Sequence, residues 1–576
     1  MATKNVEEIK DQSRSLRGTL ASTLQAPNAT HFGDEDAQLI KFHGSYQEDD
    51  RDLRNKLKAE GKDKAWQFMV RSKIPGGFLT SAQYLAHDNM AGRLSTETLR
   101  FTTRQGIQLY GILLGSLKQV IKEINACGLT TIGACGDVVR NTMSVAVPIS
   151  NPVYDEVQRL AEEISRTFYP KTTAYSEIWL DGEKLPDGKE DVEEPIYGRH
   201  YLPRKFKIAI AIPPRNDADI LSNDIGLVPH FPNGKVEGYT LFVGGGFGMS
   251  HGQTATRPHL AQPLLYVAKE HVIDACIAVI TTQRDHGNRA DRKLARLKYL
   301  VANKGIEWFR NEVKSRLANI GTEAPKEVKF TTVSDLLGWH EQGNGKWFRG
   351  VWVPEGRIKD TDEVQYRTAF RKIAEKYRPH LHITANTNVY FSNIDANDKA
   401  GIDQILDEHK IPAISGLTQA RQTAHACVSL PTCNLGLAES ERAFGKVMNG
   451  IDAVLRELGL ENEEILIRMT GCPNGCARPY NADFAFVGRA PGKYALYVGG
   501  SHRGDRLAGL KEKVVLEADI PAKVKEILSD FTANRQTGES FTDYWGRTQE
   551  QGEVPNAEHF HVEFAERAAR LAAAGN

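Results

Sequence analysis

The chain has 576 residues, of which 40% are apolar and 25% charged, so it is not a disordered or low-complexity protein and has room for about four domains. Its 73 basic and 73 acidic side chains balance, which leaves no overall field to attract nucleic acid. The mean hydropathy is −0.42 and no apolar run approaches the ~20 residues of a membrane span, so a membrane location is not expected. The balanced charge likewise argues against a nucleic-acid partner.

The N-terminal residues mix acidic and basic side chains and lack the apolar core of a signal peptide, so a cytoplasmic location is expected. Residues 1–62 are charge-dense. We interpret them as an N-terminal extension that packs on the body or docks a partner, with a solvated tail as the alternative. From Phe68 onward, strand and helix signals alternate, which indicates an α+β or mixed α/β protein.

Two stretches of the sequence occur twice. FMVRSKIPGG followed by LRFTTRQ (68–105) has a fainter counterpart in RGVWVPEGR followed by LHITANTN (349–388). NDIGLV followed by GYTLFVGG (223–245) parallels ADFAFVG followed by KYALYVGG (482–500). The repeats interleave, so they predict a duplicated two-module unit with a pseudo-twofold axis and an interface suited to a cofactor. Chance similarity between strand-rich segments is the alternative.

Basic residues share strand faces in the first half of the chain. In RKFKIAIAI (204–212), strand alternation puts the apolar side chains on one face and Lys205 with Lys207 on the other, their Cα atoms about 6.6 Å apart. The same alternation aligns Arg100 with Arg104 in LRFTTRQ. Each pair alone is equally consistent with a solvated face, but their recurrence opposite apolar faces favours a ligand that carries several negative charges.

Two further segments bear on ligand binding. DRKLARLKYLV (291–301) predicts a helix with an apolar stripe on one side and with Lys293 and Arg296, three residues apart, on the basic side. A basic side that faces water explains this pattern as well as a ligand site does. GGGFG (244–248) lacks the G-x-G-x-x-G spacing of a dinucleotide loop, and that fingerprint occurs nowhere in the chain. A nicotinamide site is therefore not expected.

Four of the seven cysteines form two pairs, with five residues between Cys427 and Cys433 and three between Cys472 and Cys476. Four soft thiolates indicate a metal centre. Structural zinc sites favour two to four residues within each pair, whereas iron–sulfur clusters accept wider spacings, so a 4Fe-4S cluster is predicted. Zinc and unligated buried thiols are the alternatives. The remaining three cysteines lack metal-site spacing and are interpreted as buried thiols: Cys127, Cys135 and Cys276.

Several motifs closely resemble the assimilatory sulfite reductase hemoproteins of the siroheme and 4Fe-4S superfamily. They are ACVSLPTC and TGCPNGCARP, together with KFHGSYQEDDRD, VRSKIPGG, LRFTTRQ, YLPRKFK and TTQRDHGNRADRK. The resemblance runs from about residue 38 to residue 546. It implies that Cys427, Cys433, Cys472 and Cys476 hold the cluster, and that Cys476 also bridges to the siroheme iron, whose other face binds the substrate.

The resemblance also implies roles for individual basic residues. Four correspond to the site of the substrate anion: Arg71, Arg140, Lys205 and Lys207. Four more correspond to residues that pair with siroheme carboxylates, and one asparagine corresponds to a position beside the ring in the loop of the second cysteine pair: Arg100, Arg104, Lys293, Arg296 and Asn474. The chain departs from many relatives at two positions, with Tyr110 in place of His and Val139 in place of Asn.

The implied fold is α+β, the duplicated siroheme-reductase architecture, with two ferredoxin-like half-domains and two siroheme/4Fe-4S α/β modules. The predicted units are the extension at 1–62, a half-domain at 63–135, a module with the substrate lysines at 136–336, a half-domain at 337–415, and a module with the cluster cysteines and a C-terminal tail at 416–576. The final residues, AERAARLAAAGN, are interpreted as a short Ala-rich helix.

The implied activity is the six-electron reduction of sulfite to sulfide in assimilatory sulfur metabolism. The chain has no flavin or nicotinamide motif, so electrons are expected from a separate flavoprotein subunit, with ferredoxin as the alternative donor. A siroheme nitrite reductase is a further alternative, although Lys207 favours sulfite because nitrite-reducing relatives commonly have Asn there. The alternative from a different class is a non-catalytic, zinc-stabilised binding module.

Overall fold

The computed structural model describes residues 4–172, 179–180, 183–184, 194–549 and 552. Within these ranges no helix has the length and apolar character needed to cross a membrane. The strands are β1 (Ser45–Asp49), β2 (Trp66–Arg71), β3 (Phe78–Thr80), β4 (Leu99–Phe101), β5 (Ile107–Ile112), β6 (Trp179–Leu180), β7 (Glu183–Lys184), β8 (Ile208–Ile210), β9 (Ile225–His230), β10 (Gly238–Val243), β11 (Gln262–Ala268), β12 (Thr322–Glu323), β13 (Gly338–Glu341), β14 (Trp347–Val351), β15 (Arg357–Ile358), β16 (His380–Ile383), β17 (Val389–Ile394), β18 (His425–Ala426), β19 (Ile467–Thr470), β20 (Phe484–Ala490), β21 (Lys493–Val498) and β22 (Gly509–Leu516).

The helices carry the amphipathic segments of the sequence, and many pack their apolar faces on these sheets. They are α1 (Val6–Gln12), α2 (Leu20–Gln25), α3 (Asp34–Leu39), α4 (Arg51–Ala59), α5 (Ser81–Leu94), α6 (Leu114–Ala126), α7 (Pro152–Thr167), α8 (Val272–His286), α9 (Leu297–Lys304), α10 (Ile306–Ser315), α11 (Tyr366–Tyr377), α12 (Lys399–Glu408), α13 (Gln419–Thr423), α14 (Glu441–Glu457), α15 (Ile520–Asn534) and α16 (Phe541–Thr548).

Two five-stranded sheets exchange a strand with each other. The first has the order β1-β2-β5-β4-β15, and the second has the order β13-β14-β17-β16-β3. Strand β3 comes from the first copy of the repeat but pairs with β16 of the second, and β15 pairs with β4 in return. The two half-domains are therefore joined by backbone hydrogen bonds in addition to side-chain packing.

Two other five-stranded sheets repeat a second pattern. Their orders are β12-β11-β10-β9-β8 and β18-β19-β20-β21-β22. In the first, β8 runs parallel to β9, which pairs antiparallel with β10. In the second, β19 runs parallel to β20, which pairs antiparallel with β21. The NDIGLV and ADFAFVG repeats seen in the sequence lie on the corresponding strands β9 and β20.

The turns repeat as well as the strands. Gln105 and Thr387 occupy the same place after β4 and β16, and both have positive φ, 53° and 72°. Gly76 and Glu355 occupy matching places in the two PGG and PEG turns, with φ of 63° and 51°. A positive φ is uncommon for residues other than glycine, so its recurrence at matched positions supports a true duplication. The duplicated α+β architecture is thus present, while the residue boundaries drawn above stay a prediction.

The N-terminal segment packs on the body and does not form a solvated tail. Leu16, Phe32 and Phe42 are buried, and β1 adds to the edge of the first half-domain sheet beside β2. This packing brings the charged residues after β1 against the module that carries the cysteine pairs.

Three expectations of local structure are corrected. The helix expected at 291–301 is interrupted, because Arg296 is extended (φ −71°, ψ 149°) and α9 begins only at Leu297. The strand expected at 204–212 is limited to β8, and Lys205 and Lys207 precede it. Strand β4 ends at Phe101, so Arg104 lies in the following turn and the alternation with Arg100 does not apply. The expected C-terminal Ala-rich helix lies outside the described residues.

Candidate functional site

The two cysteine pairs follow two neighbouring parallel strands. Strands β18 and β19 pair in parallel, so their carboxyl ends lie at the same edge of the sheet, where Cys427 and the Cys472–Cys476 loop follow. Backbone N–H groups point at the sulfurs. The Gly471 nitrogen is 3.3 Å from the Cys427 Sγ, and the Leu435 nitrogen is 3.4 Å from the Cys433 Sγ. The Asn474 N–H donates to the Cys472 thiol. N–H donors of this kind suit sulfurs that carry negative charge.

The four cysteines influence one another electrostatically. Burial raises the pKa of the Cys433 thiol to about 12, and the charge of Cys476 adds to the rise. Burial followed by the charge of Cys476 also raises the pKa of Cys427 and Cys472. Thiols in such a place ionise only when a positive centre compensates their charge, which is what thiolate–metal bonds provide.

The four paired cysteines match the four-thiolate ligand set of a 4Fe-4S cubane. Within the described ranges, no three His, Cys, Asp or Glu side chains converge closely enough to hold one metal ion. A 4Fe-4S cubane has no such requirement, because each thiolate binds a different iron.

Two of the predicted anion-binding arginines are held by one loop, residues 134–136. Arg71 ends β2, and its Nη1 lies 3.4 Å from the Ala134 carbonyl oxygen and 3.3 Å from the Cys135 Sγ. Arg140 donates from Nη1 to the same carbonyl at 3.3 Å and from Nε to the Gly136 carbonyl at 2.7 Å. Cys135 is buried as expected for a thiol without a metal, but its contact with Arg71 was not expected.

Lys205 and Lys207, the two lysines predicted to bind the substrate, lie near Arg140 and other basic side chains. Burial lowers the pKa of Lys205 to about 7, and the charges of Arg204, Arg296 and Arg140 lower it further. Burial also lowers the pKa of Lys207 well below its usual range, with added repulsion from Arg104 and Lys205. Among the described residues, neither amine has a hydrogen-bond acceptor. Both amines are therefore available to a ligand.

Arg104 and Arg296 are anchored by the two residues that directly precede β9, Asn223 and Asp224. Arg104 donates from Nη1 and Nη2 to the Asn223 Oδ1 at 2.9 and 3.1 Å. Arg296 forms a bidentate ion pair with Asp224, with distances of 3.1 and 2.8 Å. Asp224 also accepts the backbone N–H of Lys207 at 2.8 Å. The Asp224 carboxylate thus holds two groups in place: the side chain of Arg296, which is predicted to bind the cofactor, and the backbone of Lys207, which is predicted to bind the substrate.

Arg104, Arg140, Lys205, Lys207 and Arg296 form a cation cluster, and its excess of positive charge suits a polycarboxylate ligand. The Arg104 Nε is buried and has no hydrogen-bond partner in the described part of the chain. Burial lowers the pKa of Arg104 to about 9; the charge of Asp224 opposes this shift, and the charges of Arg140 and Arg296 add to it. A buried unpaired donor of this kind is costly unless a ligand accepts from it. The residues present therefore fit the carboxylates of a siroheme.

Two predicted carboxylate-binding residues lie apart from this cluster. Arg100 forms an ion pair with Glu441 at 3.1 Å and donates to the Ala426 carbonyl at 2.8 Å, directly beside Cys427. Lys293 is exposed in a short 3₁₀ turn, where its backbone N–H is capped by Asp291 at 2.9 Å. The structure therefore does not place either charged group with Arg104 and Arg296.

Sequence reasoning missed three residues that organise the site. Asn223 and Asp224 lie in the NDIGLV repeat, which signalled their position in the fold but not their role. Lys298 is buried in α9 and donates to the carbonyls of Gly246 and Gly248 at 3.1 and 2.8 Å. It thereby fixes the GGGFG loop, in which Gly248 lies against the Asn474 carbonyl.

The two departures from the resemblance have ordinary local roles. The Tyr110 hydroxyl is 2.7 Å from the Gln108 side chain, and the Arg357 guanidinium lies 5.1 Å from the centre of the tyrosine ring. Val139 is fully buried and its backbone N–H donates to the Tyr197 hydroxyl at 3.2 Å. Neither departure disturbs the contacts of Arg140 or Arg71 described above.

The chain matches two family models and many known proteins. The model described as nitrite and sulphite reductase 4Fe-4S domain matches residues 161–320, and that of the nitrite/sulfite reductase ferredoxin-like half domain matches residues 60–127 and 340–409. The double match of the half-domain confirms the predicted duplication. The matched 4Fe-4S domain covers the first of the two modules, whereas the four paired cysteines lie in the second.

Several relatives of similar length share one name. The sulfite reductase (NADPH) hemoprotein beta-component of Staphylococcus saprophyticus is 43% identical over 556 residues, which are 96% of this chain and 97% of the relative. The protein of that name from Shouchella clausii is 42% identical over 559 residues, 97% of each chain. The NirA protein of Mycobacterium tuberculosis shares the fold, with a TM-score of 0.77, 21% identity and coverage of 95% and 97% of the two chains.

Proposed function

The chain belongs to the nitrite and sulfite reductase family, and on that premise we propose that it is the hemoprotein component of a sulfite reductase, which reduces sulfite to sulfide with six electrons. One observation carries the proposal. The Thr103 hydroxyl donates to the Cys476 carbonyl at 3.2 Å, and the next residue, Arg104, belongs to the cation cluster, so a cluster suited to an oxyanion adjoins the last of the four paired cysteines.

The proposed cofactors are siroheme and a 4Fe-4S cluster. Cys427, Cys433, Cys472 and Cys476 would hold the cluster, and Arg104 with Arg296 would pair with carboxylates of the siroheme. When bound, these groups would pass on electrons received from a separate donor and would provide the iron at which sulfite is reduced. The cations in and around the site carry out the rest of the chemistry.

Arg71 and Arg140 are proposed to bind the sulfite oxygens. A guanidinium stays protonated at working pH and donates in a fixed planar geometry, which suits a pyramidal oxyanion. Their shared attachment to the Ala134 carbonyl keeps the two groups in register. These arginines therefore act as anchors and do not supply protons.

Lys205 and Lys207 are proposed to deliver protons. Each S–O bond that breaks must release its oxygen as water, so the site consumes protons throughout the reaction. An amine whose pKa lies close to the working pH transfers a proton more readily than one near its usual value of 10.5. The burial and repulsion that lower the pKa of Lys205 to about 7 are thus suited to this task, and they shift the pKa of Lys207 in the same direction.

The pH dependence of the reaction tests the assignment of Lys205. Its pKa of about 7 means that the ammonium form falls from half at pH 7 to under a tenth at pH 8, so we expect turnover to fall about fivefold over that interval. Sulfite itself titrates near neutral pH, so the measured quantity is the ratio of kcat for wild type to kcat for Lys205→Arg. A ratio that stays constant from pH 6 to 9 would contradict the role of Lys205.

Electrons are proposed to come from a separate protein, a flavoprotein subunit in the first instance and ferredoxin otherwise. The name of the relatives, a beta-component linked to NADPH, supports the flavoprotein. Leu435, two residues after Cys433, is 62% exposed, so the cluster side of the molecule is open to a donor. A cytoplasmic location remains a prediction.

The whole function is tested on protein purified from cells that make siroheme. We expect a coloured protein that contains iron and acid-labile sulfide, and that forms sulfide from sulfite with reduced methyl viologen. Adding a sulfite reductase flavoprotein with NADPH, or reduced ferredoxin, then shows which donor supports turnover. A colourless, zinc-containing protein would refute the proposal and favour a binding module.

A further inference from the structure

The segment after β1 contacts the loop that carries Cys433. We define the cluster loop as residues 429–436, a stretch without regular secondary structure that begins two residues after Cys427 and contains Cys433. Arg51 begins α4, and its backbone N–H donates to the Pro431 carbonyl at 3.1 Å. These contacts join residues separated by some 380 positions in the sequence.

The side chain of Arg51 is directed at the same loop. Its Nη1 donates to the carbonyl oxygen of Cys433 at 3.0 Å and to that of Gly436 at 2.5 Å. A single guanidinium nitrogen therefore closes the turn that contains the cysteine. Hydrogen bonds from a charged donor are stronger than those between neutral groups. The two bonds from Arg51 therefore restrain a loop that has no regular secondary structure of its own.

A second contact reinforces the first. Arg54 donates to the Asn434 Oδ1 at 3.1 Å while it is held by Asp49, and the Asn434 amide donates back to the Gln47 carbonyl at 3.3 Å. The loop tip is otherwise poorly covered, since Leu435 is 62% exposed. Most of the restraint on this side of the loop thus comes from residues 47–54.

We propose that Arg51 is a positioning residue for the cluster, which holds Cys433 in place through the cluster loop. The inference rests on the proposed function in one respect, namely that the paired cysteines bind a cluster. It assigns a purpose to part of the N-terminal segment, which the sequence suggested only as packing or docking. Arg51 contacts the carbonyl of the ligand residue and not its sulfur, so it acts through the loop.

Two effects of Arg51 are separable. Its two hydrogen bonds fix the loop, and loss of them should let Cys433 detach and the cluster dissociate faster. Its positive charge would lie near a cluster held by Cys433, and a positive charge nearby would favour the reduced state of that cluster. Arg51→Ala removes both effects, whereas Arg51→Lys keeps the charge but loses the planar donor geometry.

The test measures loss of acid-labile sulfide and visible absorption from the holoenzyme in the presence of an iron chelator. We expect Arg51→Ala to lose the cluster about tenfold faster than wild type, as the removal of hydrogen bonds from a charged donor implies. Arg51→Lys should lose it faster than wild type as well. The matched control is Lys56→Ala, which removes one exposed positive charge from the same helix without touching the cluster loop.

A redox titration followed by electron paramagnetic resonance adds the second readout. Arg51→Ala should shift the cluster potential to more negative values, and Arg51→Lys should leave it unchanged. The proposal is overturned if Arg51→Ala retains its cluster as long as Lys56→Ala does. If Arg51→Ala does not accumulate as folded protein, Arg51→Lys decides, and cluster retention equal to wild type overturns the proposal. A wild-type protein without iron and labile sulfide would instead refute the proposed function.

Discussion

Replacing Cys476 by Ser is expected to abolish sulfite reduction and to deplete the protein of acid-labile sulfide. Cys476 is the most exposed of the four paired cysteines, and its charge acts on the other three and on the cation cluster. Outer-shell partners of metals typically contribute about 10- to 100-fold to affinity or activity, so loss of a ligand should exceed about a hundredfold. Sulfide formation and iron content measure the two effects.

The matched control for this substitution is Cys127→Ser. Cys127 is half-buried at the end of α6, and its thiol donates to the Ile124 carbonyl at 3.1 Å. It is not one of the paired cysteines, and no ligand role is predicted for it. A serine hydroxyl can make the same hydrogen bond, so this variant should keep wild-type iron content and turnover. If Cys476→Ser behaves like Cys127→Ser, the assignment of Cys476 as a cluster ligand is wrong.

The parts of the fold that sequence predicted are those encoded locally or by repetition. The NDIGLV and ADFAFVG stretches predicted matched strands, and β9 and β20 are the result. The exchange of β3 and β15 between half-domains was not predicted, because each strand is only two or three residues long and its partner lies hundreds of residues away. Alternation within a segment carries no information about which sheet it joins.

The helix expected at 291–301 shows how a tertiary contact overrides a local pattern. Its apolar spacing suits a helix, but Arg296 must reach Asp224, and it does so from an extended backbone. The residue at which the helix is interrupted is thus the one that pairs with Asp224, and the pattern had placed it on the basic face of the helix. The role of Asp224 could not be predicted from the sequence, because nothing in the pattern around a single acidic residue beside a strand shows that it pairs with a buried arginine.

The candidate site was predictable where residue type alone limits the chemistry. Four cysteines in two pairs and two lysines with strand spacing pointed to a metal centre and an anion. The cross-chain contacts that support them, such as Asn223 with Arg104 and Arg51 with the cluster loop, join elements far apart in sequence. Hydrogen-bonding groups of this kind have many potential partners, and only the folded chain selects one.

Replacing Lys207 by Ala is expected to lower kcat for sulfite by about a hundredfold while the siroheme spectrum stays intact. General acid catalysis contributes about 10²- to 10⁴-fold, and the lower end applies because Lys205 still offers a proton. The KM for sulfite should change less than kcat, because Arg71 and Arg140 remain to bind the anion. Lys235→Ala, an exposed lysine between β9 and β10, is the control and should match wild type.

Lys207→Arg separates proton delivery from charge. Arginine keeps the positive charge but does not release its proton at working pH, so kcat should remain low if Lys207 donates a proton. If Lys207→Arg restores kcat, Lys207 acts only through its charge, and the lowered pKa of this amine has no catalytic use. Unchanged sulfite turnover in Lys207→Ala would remove the residue from the reaction altogether and leave Lys205 as the only lysine with a proposed proton to give.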